Sequence, residues 1–237
     1  MRFLIFLTVL SSILFQSACA QNQTITNDSF WETVDGTPIY AQGGGIFRFE
    51  DPQSGKPKYF WYGVHYAEAE TYRDDPSVTL ERNHFKGVTC YTSTDLVNWT
   101  FEKHVLTPEA VDYEERPTWL GRMGVAYLAE IDQYALFIQH GKNVMIALAD
   151  SALGDFKVHR HIDMTERIGT PNTGDQTVFT DQDTGKSYLV YSYGQGRNKI
   201  YISEIGVRDG QVDLLDLTEI FRGASREDNC MFKYKTN

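Results

Sequence analysis

The hydrophobic pattern of this chain consists of short apolar runs rather than long amphipathic periods. Runs of β-branched and aromatic residues alternate with clusters of Gly, Asp, Asn and Pro, and few stretches show helical periodicity. Short runs bounded by turn-forming residues are typical of β-strands. Clear examples are Lys58–Tyr62, Tyr134–Ile138 and Ser187–Tyr191. The pattern therefore predicts an all-β chain.

The predicted strands recur in a repeat. Phe47–Gly63 and Val178–Gly194 each contain a strand, an acidic turn with Ser-Gly-Lys or Thr-Gly-Lys, a second strand and a glycine. A third strand follows in each case, over Gly87–Ser93 and over Lys199–Glu204. Self-similarity over long periods is the sequence signature of a repeat architecture.

The middle of the chain repeats this plan in weaker form. It has two strands in Gly124–His140, a third in Asn143–Asp150 and a fourth in Phe156–His159, and Asn229–Tyr234 reads as the first strand of a further unit. Four-stranded units of roughly fifty to seventy residues fit propeller blades. We therefore predict an incomplete β-propeller of about three blades and the first strand of a fourth. The alternative is an open sandwich in which the repeat is accidental turn chemistry.

The amino-acid composition limits the classes of binding partner that are expected. The chain is 41% hydrophobic and 23% charged, and it contains 14 Tyr, 14 Phe and 4 Trp, so it can form a core. Aromatic side chains suit strands, and their flat rings also stack on sugars. The formal net charge of −10 disfavours binding to phosphate backbones, so nucleic acid is not an expected partner.

Residues 1–20 differ from the rest of the chain. A positive start, an apolar stretch over Phe3–Phe15 and the small residues Ala18-Cys19-Ala20 predict a secretory signal peptide followed by one domain, 21–237. The protein is then exported to the periplasm or the extracellular space. Cleavage after Ala20 is favoured, and lipidation of Cys19, which would make a surface lipoprotein bound to a membrane, is the alternative.

Cleavage after Ala20 leaves Cys90 and Cys230, each within an apolar run. Two cysteines do not make a disulfide framework, so buried free thiols are predicted. No Cys/His spacing indicates zinc, and no metal ligand is assigned.

Polar residues stand at the head of each predicted unit. Gln42, Glu115, Asp175 and Glu227 precede or begin the innermost strands. In a propeller these strand starts converge at one end of the central axis, so side chains distant in sequence would meet. Clustered carboxylates perform general acid and base chemistry, as glycoside hydrolysis requires. The competing interpretation is that each is a solvated turn residue.

Other residues near these positions are candidates for substrate binding. They are Gly43, Gln176, Arg116, Arg226, Trp61 and Tyr62. Gly43–Gly45 either lets the backbone approach a ligand or relieves crowding at a narrow axis. The arginines either contact substrate or pair with neighbouring carboxylates, and the two rings either stack on sugar or pack in the core. No G-x-S-x-G motif is present, which disfavours a serine hydrolase.

Five segments resemble family 43 glycoside hydrolases, which are inverting enzymes with five-bladed propellers. The segments are Ala41–Ile46, Cys90–Trp99, Glu115–Pro117, Gly174–Phe179 and Arg226–Phe232. The likeness extends from about residue 40 to residue 237. It is greatest to galactan 1,3-β-galactosidases and related arabinofuranosidases. Cys90–Trp99 is the most specific piece, and the others gain weight from their order along the chain.

The resemblance implies roles at these positions. Glu227 corresponds to the general acid, Asp175 to the carboxylate that orients that acid and keeps it protonated, and Glu115 to a neighbour that binds substrate or assists. Gln42 departs from the family pattern, because the usual member carries an aspartate base there. No base is assigned within this chain. Some propeller glycosidases hold a central calcium ion, but no ligand cluster here predicts one, and no cofactor is expected.

The resemblance thus predicts an exo-acting inverting glycosidase that releases galactosyl or arabinosyl units from plant-type polysaccharides. A catalytically silent carbohydrate-binding propeller, or an inactive fragment of such an enzyme, is the alternative. A propeller that binds partners other than carbohydrate is a third hypothesis, although no Trp-Asp or Kelch repeat supports it. Because the predicted ring is incomplete, we expect the isolated chain to be poorly active.

Overall fold

The computed structural model describes residues 24–112, 119–170, 173–194, 198–223 and 225–234. Within these ranges the chain forms three antiparallel sheets, each containing a meander of four consecutive strands, and the third has a fifth strand. The first sheet contains β1 (Gln42–Glu50), β2 (Pro57–Tyr66), β3 (Phe85–Ser93) and β4 (Thr100–Leu106). The second contains β5 (Leu120–Leu128), β6 (Gln133–His140), β7 (Asn143–Ala149) and β8 (Lys157–Asp163). The third contains β9 (Thr173–Thr180), β10 (Ser187–Tyr193), β11 (Lys199–Arg208) and β12 (Gln211–Leu214), and β13 (Thr218–Arg222) also pairs with β11.

Helices are short and lie in the connections. α1 (Ala67–Asp74) joins β2 to β3, α2 (Met164–Ile168) follows β8, and a 3-10 turn spans Glu109–Val111. No helix in the described ranges has the length and apolar character needed to cross a membrane. The prediction of an all-β chain is confirmed.

The acidic turns of the repeat are built alike. In the first sheet the amide of Gly55 donates to the carbonyl of Asp51 at 2.8 Å, and in the third sheet Gly185 donates to Asp181 at 2.8 Å. Both glycines adopt positive φ, 65° and 72°, which glycine adopts without steric cost. Equivalent residues thus close equivalent β1–β2 and β9–β10 turns, so the sequence repeat reflects a structural one.

Two hydrophobic cores hold the sheets together. Side chains of the first and second sheets form one core, which includes Phe60, Val88, Leu136 and Met145. Side chains of the second and third sheets form the other, which includes Phe137, Ile146, Leu189 and Tyr191. The second sheet therefore contributes both of its faces to cores, and its central strands β6 and β7 are apolar almost throughout.

The segment before β1 covers the other face of the first sheet. The amide of Val34 donates to the carbonyl of Trp99 at 2.9 Å. The ring of Trp61 lies 5.2 Å from that of Trp99 and 5.9 Å from that of Trp31. Because Trp99 is only 1% exposed, this aromatic cluster is a small satellite core.

The predicted strands at Lys58–Tyr62, Tyr134–Ile138 and Ser187–Tyr191 are confirmed as parts of β2, β6 and β10. The prediction of a strand over Asn229–Tyr234 is wrong, because these residues have no regular secondary structure. No strand in the described part of the chain pairs with them, and an extended segment without a ladder of backbone hydrogen bonds is not a strand.

The cysteine prediction is half right. Cys90 is a buried free thiol, and burial raises the pKa of that thiol. Cys230 is a free but exposed thiol, because the segment that carries it lies outside the sheets.

Candidate functional site

The first strands of the three sheets lie together. β5 contacts both β1 and β9. The three strands line a cleft of about 1130 Å³, to which the segment 228–231 also contributes. Residues from four distant parts of the chain therefore share one concave surface, as ligand sites commonly do.

Each of these strands carries one extra residue near its start, relative to the strand beside it. The extra residue lies between Gln42 and Gly45 in β1, is Arg122 in β5, and lies between Thr173 and Gln176 in β9. Gly43 and Arg122 both adopt positive φ, 62° and 45°. Such bulges redirect side chains and are over-represented beside active sites.

The bulge in β5 directs Arg122 towards two carboxylates. Its Nε lies 2.9 Å from Oδ1 of Asp175, and its Nη1 lies 2.8 Å from Oδ1 of Asp228. The backbone amide of Asp228 donates to the other oxygen of Asp175 at 2.8 Å. One guanidinium and one amide thus hold Asp175 in place, and charge-assisted hydrogen bonds of this kind are the strong ones.

The backbone around Asp175 is also held. Its carbonyl accepts from the side-chain amide of Asn229 at 2.8 Å and from the hydroxyl of Ser192 at 3.3 Å. Asp175 is 8% exposed. A carboxylate so well buried needs these partners, since an uncompensated buried charge is costly.

Gly43 explains how β1 comes so close to Arg122. A Cβ on Gly43 would lie 3.1 Å from the backbone nitrogen of Arg122 and 3.3 Å from its Cδ. Together with the positive φ, this contact disfavours any side chain at position 43. β1 therefore forms one wall of the site through its backbone.

Of the predicted head-of-strand residues and their neighbours, Gly43, Asp175 and Gln176 line the cleft, whereas Gln42, Arg226 and Glu227 are close in sequence to lining residues. Gln42 is the exposed first residue of β1, and Asp175 and Gln176 are buried residues of β9. The side-chain nitrogen of Gln176 is buried without a hydrogen-bond partner in the described structure, and the residue lines the cleft. Arg226 and Glu227 are exposed and directly precede Asp228 in sequence.

Other predicted residues lie elsewhere or outside the described ranges. Glu115 and Arg116 fall within 113–118, which the structure does not describe. Tyr62 is 0% exposed in the core between the first and second sheets, and its hydroxyl donates to the carbonyl of Ala152 at 2.6 Å. Trp61 belongs to the satellite core. These two rings do not reach the cleft, because alternate residues of β2 face one core or the other.

Sequence reasoning missed Arg122 and Asp228 as members of the site. The available signal for Arg122 was its position in Gly121-Arg122-Met123-Gly124, a charged residue inside an otherwise apolar strand. Asp228 follows Glu227 directly, but nothing in the sequence shows which of two adjacent acids faces an arginine. In the described ranges, no cluster of three or more His, Cys, Asp or Glu is arranged to hold a metal ion.

The fold is similar to that of solved exo-β-1,3-galactanases and a solved β-1,3-galactosidase. An exo-β-1,3-galactanase from Clostridium thermocellum matches with a TM-score of 0.68 and 25% identity, over 89% of this chain and 44% of that one. A family 43 β-1,3-galactosidase solved with galactodeoxynojirimycin matches with a TM-score of 0.63 and 25% identity, over 89% of this chain and 70% of that one. An exo-β-1,3-galactanase from Phanerochaete chrysosporium solved with galactose matches with a TM-score of 0.62 and 22% identity, over 86% and 43%. The chain thus spans less than half the length of the first and third of these relatives.

Family membership follows from the sequence itself. No curated protein matches the chain. The model of the family described as glycosyl hydrolases family 43 matches residues 66–231, which include β3 to β13 and the candidate site from Arg122 to Asp228. Since this match extends over well more than half of the sequence, the chain belongs to glycosyl hydrolase family 43.

Proposed function

We propose that the protein is an exo-acting, inverting glycosidase that releases galactosyl units, or else arabinosyl units, from plant-type polysaccharides. Its family and its likeness to an exo-β-1,3-galactanase and a β-1,3-galactosidase support this proposal. The observation that carries it is the network in which Arg122 joins Asp175 to Asp228, next to Glu227, at the end of a large cleft.

Each acidic residue has a distinct role in this proposal. Glu227 is the general acid that protonates the leaving oxygen, and Asp175 orients it and favours its protonated form. Glu115 binds substrate or assists. Gln42 has no carboxylate and is a poor base, so its place is in substrate contact, together with Gly43, Gln176, Arg116 and Arg226. The base that activates water remains unassigned.

The architecture we propose is that of a β-propeller in which the three sheets are consecutive blades of a five-bladed ring. Three features support it: each sheet contains a four-stranded meander, consecutive sheets pack face to face, and the first strands lie together. The inner strands would then surround the axis, and their starts would form the active site.

The proposed partner is an oligosaccharide or polysaccharide, and the negative charge argues against nucleic acid. We further propose that residues 1–20 direct export, which would place the enzyme where polysaccharide is met. A membrane is a partner only if Cys19 is lipidated.

Substitution of the acid tests this function. In the full-length gene product, Glu227→Gln should lower kcat on β-1,3-galactotriose by about 10²–10⁴-fold, since the amide cannot donate the proton. Binding of the trisaccharide, measured by calorimetry, should change little, because the side chain keeps its size. As a matched control, Glu166→Gln on α2 should leave both unchanged. Proton NMR of the first product released by the wild-type enzyme should show inversion at the anomeric carbon.

The second candidate is a silent carbohydrate-binding propeller. The observation that favours it is Gln42, which stands where the family carries its base. Wild-type protein that binds galactotriose but never hydrolyses it would support this candidate. Wild-type protein that neither binds nor cleaves galactosyl or arabinosyl oligosaccharides would remove both.

A further inference from the structure

We propose that Arg122 is a positioning residue that fixes the segment 225–229, and with it Glu227, against the head of β9. The inference deepens the proposed function, because it matters for catalysis only if Glu227 is the general acid. It assigns a role to a residue of β5 that itself donates no proton to the substrate.

The contacts show how the segment is attached. Within the described structure, Arg122 bonds Asp175 through Nε and Asp228 through Nη1, so one planar guanidinium bridges β9 and the segment. The amide of Asp228 closes the triangle on Asp175. The fixed fork geometry of arginine suits such a bridge, whereas the ammonium of lysine is a single point of charge.

Two residues of the segment adopt left-handed backbone conformations, and the bridge holds one of them, Asp228. Asp228 has φ 53° and Ser225 has φ 48°, a region that residues other than glycine seldom adopt. Arg122 itself has φ 45°. Strained conformations at functional sites persist when surrounding contacts over-determine them. Arg122 and Asp228 are each held by a bond to Asp175 and by the ion pair between them.

The two carboxylates joined by Arg122 differ in burial. The Asp175 side chain is 11% exposed, whereas those of Arg122 and Asp228 are 30% and 72% exposed. Asp175 is therefore the fixed anchor and Asp228 the movable end. Without Arg122, the segment would lose the guanidinium that joins it to β9, and the amide of Asp228 and the side chain of Asn229 would still contact Asp175.

Hydrogen exchange tests the positioning directly and does not depend on activity. In the full chain, Arg122→Met should speed exchange of the Asp228 amide by about tenfold, since the loss of a charge-assisted bond frees the segment. Arg122→Lys should give an intermediate increase. Arg222→Met, which breaks the exposed pair with Glu219 on β13, is the matched control and should leave the Asp228 amide unchanged.

Kinetics test the consequence. Arg122→Met and Asp228→Asn should each lower kcat on galactotriose by about 10–100-fold with KM nearly unchanged, because a misplaced acid slows the chemical step. The double variant should be little worse than either single one, since both remove the same bridge. Additive effects on kcat, or a rise in KM alone, would overturn the inference.

Failure of this inference and failure of the proposed function are distinguishable. If the wild-type full-length gene product shows no turnover, the proposed function fails, and exchange of the Asp228 amide still decides whether Arg122 positions the segment. If wild-type protein is active and the exchange of Arg122→Met matches that of the control, only the positioning role is lost.

Discussion

Gly44 shows how tightly the backbones pack at the head of β1. A Cβ at this residue would lie 1.7 Å from the carbonyl oxygen of Tyr62, a distance no real Cβ tolerates. The sequence left two explanations open for the three glycines, namely approach of a ligand and relief of crowding. Crowding by the chain itself explains Gly43 and Gly44, so these glycines are required by the fold before any ligand binds.

Tyr62 illustrates what sequence cannot distinguish at the residue scale. A tyrosine next to a tryptophan is typical of a sugar-stacking platform and equally of a core. The deciding fact is the phase of β2 relative to its neighbours, which depends on packing partners distant in sequence. The same limit applies to Arg122, whose two carboxylate partners lie 53 and 106 residues further along the chain.

Tyr62→Phe should separate the two roles of the ring. Because the hydroxyl is fully buried and bonded to Ala152, its removal should destabilise the protein by about 1 kcal/mol, measured by urea unfolding. The affinity for galactotriose should not change. Tyr127→Phe, which removes an exposed hydroxyl bonded to Asp132, is the control and should have a smaller effect on stability. Weaker sugar binding with unchanged stability would contradict the core assignment.

At the scale of elements, the turn between β3 and β4 is organised by one side chain. Oδ1 of Asp95 accepts from the amides of Val97 and Asn98 at 2.9 and 2.8 Å, and Oδ2 accepts from the side chain of Asn98 at 2.8 Å. These bonds, led by that from the Asn98 amide, hold the pKa of Asp95 well below its usual value. The most specific segment of the family resemblance therefore contains a structural turn.

Asp95→Ala should lower the stability of the first sheet. We expect a loss of about 1 kcal/mol at neutral pH, or roughly 2–4 °C in Tm. Because the folded-state pKa lies below the unfolded value of about 3.9, the stabilisation is present above that pH and is lost as pH falls below it. The difference in Tm between wild type and variant should therefore shrink in acid.

Asp216→Ala, which replaces an exposed aspartate outside this turn, provides the comparison and should lower Tm less at neutral pH. A Tm difference for Asp95→Ala that stays constant from neutral pH to pH 3 would argue against the proposed bonding.

The strands themselves were largely predictable, because alternation and turn chemistry are local. β2, β6 and β10 follow directly from apolar runs, and the Asp-to-Gly turns follow from their repeated residues. β13 and the irregular conformation of 229–234 were not predictable. Whether an apolar segment becomes a strand depends on whether an edge is free to receive it, which the segment's own sequence does not contain.

At the scale of the whole molecule, the repeat predicted the order of the sheets but not the ion network that their first strands form together. The bulges in β1, β5 and β9 orient the side chains of the site. Apart from nearby glycines, no feature of the sequence indicates where these bulges lie. The fold class and family were accessible from the sequence, whereas the ion network required knowledge of which strand starts meet.

Export is the prediction that concerns the whole chain. When the full-length gene is expressed in a bacterium with an intact secretion pathway, we expect mature protein that begins at Gln21, as measured by intact mass. A mass that includes a lipid on Cys19 would support the lipoprotein alternative. Protein that keeps Met1 in the cytoplasm would contradict export.

The extra residue in β5 also allows side chains on both sides of the bulge to face the same core. Leu120 and Met123 both belong to the core between the first and second sheets, although strict alternation would put residues three apart on opposite faces. Arg122 takes up the odd position, which leaves it free to turn towards Asp175. Deleting Arg122, rather than replacing it, would turn Leu120 out of the core. The deletion would therefore remove both the packing of Leu120 and the contact with Asp175.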